Sequence, residues 1–263
     1  MTETPVHHDP VGSTRIAVLI DCDNVSASHA AAVLEELATY GRPTVKRAYG
    51  DWTTNQLSGW KHELNRLAIQ PIQQFSYTTG KNATDSALII DAMDLLHQGH
   101  VEAFALVSSD SDFTRLASRL RESGKRVYGL GARKTPESLR KAVDQFIYLE
   151  LLDHELEGRT NGTGRTTSAG TAAEAPDTER PGSGINLHSA MVKAVNATSD
   201  DDGWVNLGVL GQHLNRAHTD FDSRDFGHRK LSTLVAAQPY LETRTDQGVM
   251  QVRIKQSRGR SDR

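Results

Sequence analysis

In the stretch RIAVLIDCDN, residues 15–24, an unbroken apolar run stops at acidic side chains, and this run is the strongest indication of the fold class. Continuous apolar runs rich in Ile, Val and Leu are typical of strands that are covered on both faces, as in parallel sheets. Two more acidic motifs follow, NATDS at residues 82–86 and VSSDSDF at residues 107–113. Since ligands bind outside the carboxyl ends of parallel strands, acids delivered there by separate elements would share one crevice.

Strand and helix patterns alternate on both sides of this stretch, from about residue 15 to residue 150. Strands are predicted at 15–20, 44–49, 69–75, 103–107, 126–130 and 145–149. Helices are predicted at 28–39, 56–68, 85–98, 113–122 and 136–143. This alternation predicts an α/β fold with a doubly wound parallel sheet, and right-handed crossovers place the acidic strand ends on one edge.

The second half of the chain changes character. Residues 156–184 are rich in Gly, Ser, Thr, Ala and Pro, which predicts a flexible linker. Three helical patterns follow at about 186–196, 206–217 and 225–237, and then two short β runs. A three-helix unit closed by a hairpin is a small winged-helix-like α+β domain. We therefore expect a first domain, a linker, a second domain and a basic tail, at 13–152, 153–184, 185–255 and 256–263.

The composition is that of an ordinary globular protein, with 37% hydrophobic and 24% charged residues. No apolar run reaches the roughly 18 residues of a membrane span and the N-terminal stretch has no secretory pattern, so neither a membrane span nor a secretory signal is expected. The single cysteine, Cys22, excludes an intramolecular disulfide and a multi-cysteine zinc site. A cytoplasmic location is the expectation.

The charges are divided unevenly between the two halves. Residues 1–155 carry 16 Lys and Arg against 20 Asp and Glu, whereas residues 185–263 carry 11 against 9. An acidic catalytic half and a mildly basic second half are consistent with a division of labour.

The candidate site residues are acids at strand and helix ends. Asp21 ends a buried strand, where an unpaired carboxylate costs several kcal/mol unless it is paired or binds a metal, although it also suits a helix cap. Asp85 opens a helix, where a carboxylate is ordinary. Asp110 and Asp112 alternate in a loop and either face one ion or provide one N-cap. Asn24 lies within reach of Asp21. Crowded carboxylates favour a hard cation, so the residues predict a Mg²⁺ or Mn²⁺ site that acts on phosphate esters.

Two neighbouring acids receive weaker predictions. Asp91 follows Asp85 by six positions, about 240° around the helix, so the two do not share a face. We expect Asp91 to be a supporting or surface group. For Asp23, capping of the next helix and a role in the site are nearly equal alternatives.

The three ordered acidic motifs, with DAM at 91–93, RKTP at 133–136 and FIYL at 146–149, resemble the NYN domain of the PIN-like nuclease superfamily, in its bacterial branch. The resemblance implies a PIN-like α/β fold and metal-dependent cleavage of RNA to products with a 5′-phosphate. Carried over residue by residue, it makes Asp21, Asp85, Asp110 and Asp112 the acids that hold Mg²⁺ or Mn²⁺, and Asn24 a neighbouring polar ligand.

The second half resembles the OST-HTH domain, also called LOTUS, through GWVNLG at 203–208 and FGHRKL at 226–231. That resemblance implies a winged-helix-like fold that binds RNA or a protein partner.

Candidate RNA-binding cations are found in both halves of the chain, and each is equally well explained as a solvated surface charge. They are Lys81, Arg115, Arg133 and Lys134 in the first half, and Arg229 and Lys230 in the second.

The function predicted from the chain is a divalent-metal-dependent endoribonuclease with a C-terminal RNA- or partner-binding module. One alternative is a catalytically inactive RNA-binding adaptor that keeps the fold. The other is an aspartyl-phosphate phosphatase of the haloacid-dehalogenase type, because Asp21-x-Asp23 after a strand resembles its nucleophile pair. No segment resembles the cap of that phosphatase family.

Overall fold

The computed structural model describes residues 14–75, 83–152, 185–200, 202–246 and 248–255. The chain divides into two compact units, Met1–Arg165 and Thr166–Arg263. The predicted linker at 153–184 and the predicted basic tail at 256–263 lie outside the described residues. None of the described helices is long and apolar enough to cross a membrane.

Within the described part of the first unit, six strands form one sheet in the order β3-β2-β1-β4-β5-β6. Every neighbouring pair is parallel. The strands are β1 Arg15–Asp21, β2 Arg42–Gly50, β3 Gln70–Gln73, β4 Ala103–Val107, β5 Arg126–Gly131 and β6 Gln145–Tyr148. The chain winds outward in both directions from the β1–β4 pair, which is the doubly wound topology that the alternating pattern predicts.

Helices cover both faces of this sheet. They are α1 Ala30–Leu37, α2 Trp60–Arg66, α3 Ala83–Gln98, α4 Thr114–Glu122 and α5 Glu137–Ala142. Ile16, Val18 and Ile20 of β1 pack in one apolar cluster with residues of α1 and α2. Ala17 and Leu19 pack in a second cluster with residues of α3, α4 and α5. Because alternate side chains of β1 enter two different cores, its sequence is apolar without interruption.

The predicted boundaries hold best where a strand is buried. β4 spans the predicted 103–107, whereas the helix predicted at 56–68 begins only at Trp60. A separate 3-10 turn at Asn55–Leu57 takes up the start of that pattern. Short turns of this kind share the apolar spacing of an α-helix, so periodicity alone does not separate them.

The second unit contains three α-helices and an antiparallel sheet within its described residues. The helices are α6 Leu187–Thr198, α7 Leu207–Ala217 and α8 Leu231–Ala236, and the strands are β7 Val205–Asn206, β8 Leu241–Asp246 and β9 Val249–Ile254. The strand order is β7-β9-β8. Met191, Leu210, Leu214, Val235 and Val252 are among the residues of one apolar core. This is the small α+β domain that the sequence predicts.

The helix predicted at 225–237 is wrong in its first part. Ser223–Phe226 is a separate 3-10 turn, and α8 begins only at Leu231. Gly227 lies between them with a φ of +81°, a left-handed conformation that ends a helix. The sequence also did not predict β7, because a strand of two residues is too short to show a period.

Candidate functional site

The acidic motifs meet at the carboxyl edge of the sheet, beside the point where the strand order reverses. Ile20 and Val107 are register partners in the β1–β4 pair, so Asp21 and Ser108 are the next residues of their two chains at that edge. Asp85 lies in the first turn of α3. In a doubly wound sheet this crevice is where ligands bind.

Three carboxylates converge there. Asp85, Asp110 and Asp112 each offer one oxygen, and these three oxygens lie within 4.8 Å of one another. Asp110 is the N-cap of the 3-10 turn Ser111–Phe113, and its Oδ1 accepts a hydrogen bond of 2.9 Å from the Asp112 backbone N–H. Two oxygens bound to one cation at 2.0–2.6 Å are at most about 5 Å apart. The spacing of the three carboxylates therefore fits a single divalent ion.

Asp21 lies beside this cluster, and its side chain is wholly buried. Its Oδ2 accepts hydrogen bonds from Ser108 Oγ and from Asn24 Nδ2, both at 2.7 Å. Its Oδ1 accepts a longer bond of 3.2 Å from the Asp23 backbone N–H. Ser108 Oγ also accepts a bond of 3.0 Å from the Asp110 backbone N–H. Ser108 thus joins the end of β1 to the loop that carries two of the acids.

This bonding bears on the phosphatase alternative. A carboxylate that acts as a nucleophile needs an oxygen that reaches its substrate. Asp21 has no exposed surface, and both of its oxygens accept hydrogen bonds from its surroundings. The geometry therefore disfavours Asp21 as the nucleophile of an aspartyl-phosphate mechanism.

The site is crowded with negative charge. The pKa of Asp85 is raised to about 6, first by burial and then by the charges of Asp21, Asp110, Asp112 and Asp23. Burial also raises the pKa of Asp21, against the opposing effect of its hydrogen bonds from Ser108 and Asn24. Such a cluster is relieved by protons or by a cation of high charge, and carboxylate oxygens are the preferred ligands of hard divalent ions.

Asp91 has a separate role on the other side of α3. Its Oδ2 accepts hydrogen bonds from Arg47 Nη1 at 3.0 Å and from Tyr49 Oη at 2.8 Å, and both donors are on β2. These bonds fix α3 against the sheet, and Asp85 is carried by the same helix. Sequence reasoning missed Arg47 and Tyr49. The available signal was a cation within a largely buried strand pattern, which needs an acidic partner.

The predicted RNA-binding cations of the first unit are in different environments. Arg115 is exposed in the first turn of α4, and Lys134 is exposed in the loop after β5. The Arg133 guanidinium lies 5.1 Å from the centre of the Tyr148 ring, so part of that side chain is packed on the fold. Lys81 lies outside the described residues.

In the second unit, Arg229 and Lys230 are exposed immediately before α8. A second pair of cations belongs to the β8–β9 hairpin itself. The guanidiniums of Arg244 and Arg253 lie 4.2 Å and 4.6 Å from the centre of the Trp204 ring. Arg253 also bonds Glu242. Cations are thus exposed on more than one element of this unit.

Comparison with known proteins gives two family matches. The family model of the NYN domain matches residues 15–150, more than half of the 263-residue chain. The model of the OST-HTH/LOTUS domain matches residues 186–252. No curated protein matches the chain.

Two solved structures are similar to parts of the chain. A protein of unknown function from Vibrio parahaemolyticus is 20% identical, with 53% of this chain and 95% of that one covered and a TM-score of 0.46. An uncharacterized protein from Nitrosomonas europaea is 31% identical, with 38% of this chain and 99% of that one covered and a TM-score of 0.28. These likenesses name no activity.

Proposed function

The chain belongs to the NYN domain family and carries an OST-HTH/LOTUS domain, and on this premise we propose that it is a divalent-metal-dependent endoribonuclease. The NYN domain has a PIN-like nuclease fold, and the OST-HTH domain is associated with RNA binding. The observation that carries the proposal is the convergence of Asp85, Asp110 and Asp112 at the carboxyl edge of the sheet.

The residues present fit a divalent cation. Three carboxylates supply hard oxygen ligands, and the pKa of Asp85, raised to about 6, reflects charge that a cation neutralises. We propose Mg²⁺ or Mn²⁺ as the ion, held by Asp85, Asp110 and Asp112. When bound, such an ion activates water and stabilises the charge that develops on the scissile phosphate.

The remaining residues hold the acids in place. Ser108 and Asn24 fix the Asp21 carboxylate through Oδ2, and Ser108 also holds the Asp110 backbone. We propose that Asp21 adds its carboxylate to this site beside Asp85, whose pKa its charge helps to raise. Asn24 then orients Asp21 and is not itself a ligand of the ion.

The proposal is tested with the purified full chain and a panel of single- and double-stranded RNAs, incubated with Mg²⁺, with Mn²⁺ or with a chelator. We expect cutting in at least one metal, products with a 5′-phosphate, and no cutting in the chelator. RNA that is bound but left intact in both metals would instead support the inactive adaptor. Cutting that persists in the chelator would remove the metal-dependent mechanism.

For the second unit we propose that Arg229 and Lys230 contact RNA phosphates. Replacing both with alanine is expected to weaken RNA binding and to lower the salt dependence of the affinity by about one unit of slope for each lost phosphate contact. Fluorescence anisotropy at several salt concentrations measures both quantities. Lys193→Ala, at an exposed position on α6, is the matched control. An unchanged slope in the double variant would favour a protein partner for this domain.

A further inference from the structure

A groove of about 650 Å³ lies between α3 and α4 of the first unit. Ser111 and Asp112 line one end of it, and Glu122 at the end of α4 also belongs to its wall. Asp112 is one of the three converging acids, so the groove opens directly beside the proposed cation site. Its volume is within the range of small-molecule pockets, about 300–1,000 Å³.

The lining of the groove is partly apolar. Ile89 and Met93 lie four and eight positions after Asp85, so they continue the same face of α3 away from the acid cluster. Leu116 of α4 also lines the groove. Ile89 and Met93 both keep some exposed surface. A methionine beside an open groove is well suited to contact a flat ring, because its thioether is polarizable and adapts its shape.

The groove carries charges of both signs, the guanidiniums of Arg115 and Arg119 and the carboxylates of Asp112 and Glu122. Arg115 of α4 is exposed, and no hydrogen-bond or ion-pair partner of its guanidinium is found among the described residues. Arg119, one turn farther along, makes a longer and exposed contact of 3.7 Å with Glu122. Arginine is the side chain best shaped to bind a phosphate through paired hydrogen bonds. A ligand that matches this groove has an anionic group for Arg115 and a flat, largely apolar group for Ile89 and Met93.

We propose that this groove binds a nucleotide that flanks the scissile phosphate of single-stranded RNA. Arg115 binds the phosphate of that nucleotide, and Ile89 and Met93 contact its base or sugar. An unpaired strand is required because the bases of a duplex are stacked and paired and so do not enter a groove on a protein surface. This inference rests on the proposed nuclease function, since the groove is continuous with the acid cluster.

The first test measures cleavage by the full chain as a function of RNA concentration. Arg115→Ala is expected to raise KM about tenfold, the effect of one lost charged hydrogen bond, and to leave kcat within about twofold. The control is Arg126→Ala, which removes an exposed arginine at the start of β5, at the opposite edge of the sheet. An unchanged KM in Arg115→Ala and in the charge-reversed Arg115→Glu would overturn the inference.

The second test does not depend on cleavage. Single-stranded RNA that contains 4-thiouridine is crosslinked to the full chain in a chelator, and the crosslinked peptides are mapped. We expect crosslinks on α3 or α4 that Arg115→Glu removes and Arg126→Glu keeps. Crosslinks confined to other elements would overturn the inference.

The two tests separate the groove from the nuclease activity. If the wild-type chain cuts no RNA but crosslinks in the groove in an Arg115-dependent way, RNA binding by the groove is supported and the nuclease proposal is wrong. If the wild-type chain cuts RNA while both Arg115 variants match it in KM and in crosslinking, the nuclease proposal is supported and RNA binding by the groove is wrong.

Discussion

Asp110→Asn is expected to abolish Mn²⁺-dependent RNA cleavage, with a loss of at least about a hundredfold in rate. The change removes one negative charge and a charged ligand from the converging carboxylates while keeping the size and shape of the side chain. The fold is expected to tolerate it, because Asp110 is an N-cap whose Oδ1 accepts a bond from the Asp112 backbone, and asparagine caps equally well. The melting temperature and the RNA affinity should therefore stay near those of the wild type.

Single-turnover cleavage in Mn²⁺ measures this effect. The matched control is Asp94→Asn, because Asp94 is exposed and lies on α3 outside the converging cluster. The control removes the same charge and is expected to cut RNA at the wild-type rate. If Asp110→Asn cut RNA as fast as the control, the assignment of the site would be wrong.

Asp85→Asn is expected to stabilise the metal-free protein at alkaline pH and to reduce the rise in melting temperature that Mn²⁺ causes. The pKa of Asp85 is raised from 3.8 to about 6, so the folded state binds a proton at this carboxyl more tightly than the unfolded state does. Ionisation of Asp85 therefore destabilises the fold. The protonated carboxyl adds stability below about pH 4, and the wild type loses that stability as the pH rises through about 6. The asparagine variant has no such group to ionise and does not lose it.

The difference in melting temperature between the variant and the wild type therefore depends on pH in its size and on the metal in its sign. In a chelator, the variant should melt at a higher temperature than the wild type at about pH 8, and the gap should narrow towards about pH 4, where the wild-type carboxyl is protonated. In Mn²⁺ at about pH 8 the order should reverse, because an ion that binds only the folded state stabilises the protein more the more tightly it binds, and the variant has lost a charged ligand.

Thermal unfolding with and without Mn²⁺ across this pH range measures both effects, with Asp94→Asn as the control for loss of charge. A variant that is less stable than the wild type in the chelator at about pH 8, and that Mn²⁺ stabilises as much as the wild type, would contradict this account of Asp85.

Much of the fold of the first unit could be predicted, because buried strands have apolar residues at consecutive positions of the sequence. Ile16–Ile20 is apolar at every position, and the structure assigns alternate residues of this run to two different cores. The limits of β4 followed from the same kind of signal. Where strands alternate with helices, the topology rules leave few arrangements, so the carboxyl edge that collects the acids could be predicted as well. The family matches confirm the predicted NYN and OST-HTH/LOTUS domains.

The contacts that organise the site were not predictable, because they join residues far apart in the sequence. Asp21 bonds Ser108 across 87 positions, and Tyr49 bonds Asp91 across 42. Periodicity describes neighbours on one element and carries no information about such pairs. The sequence placed Asp21 at the end of a buried strand with Asn24 in reach, as the structure has them, but it carried no sign of the bond from Ser108.

The most direct test of the central claim is anomalous diffraction from crystals of the full chain soaked in Mn²⁺. We expect a manganese peak within about 2.0–2.6 Å of carboxylate oxygens from Asp85, Asp110 and Asp112, and loss of that peak in Asp110→Asn. A wild-type crystal with no peak between these three residues, or with manganese only elsewhere, would contradict it.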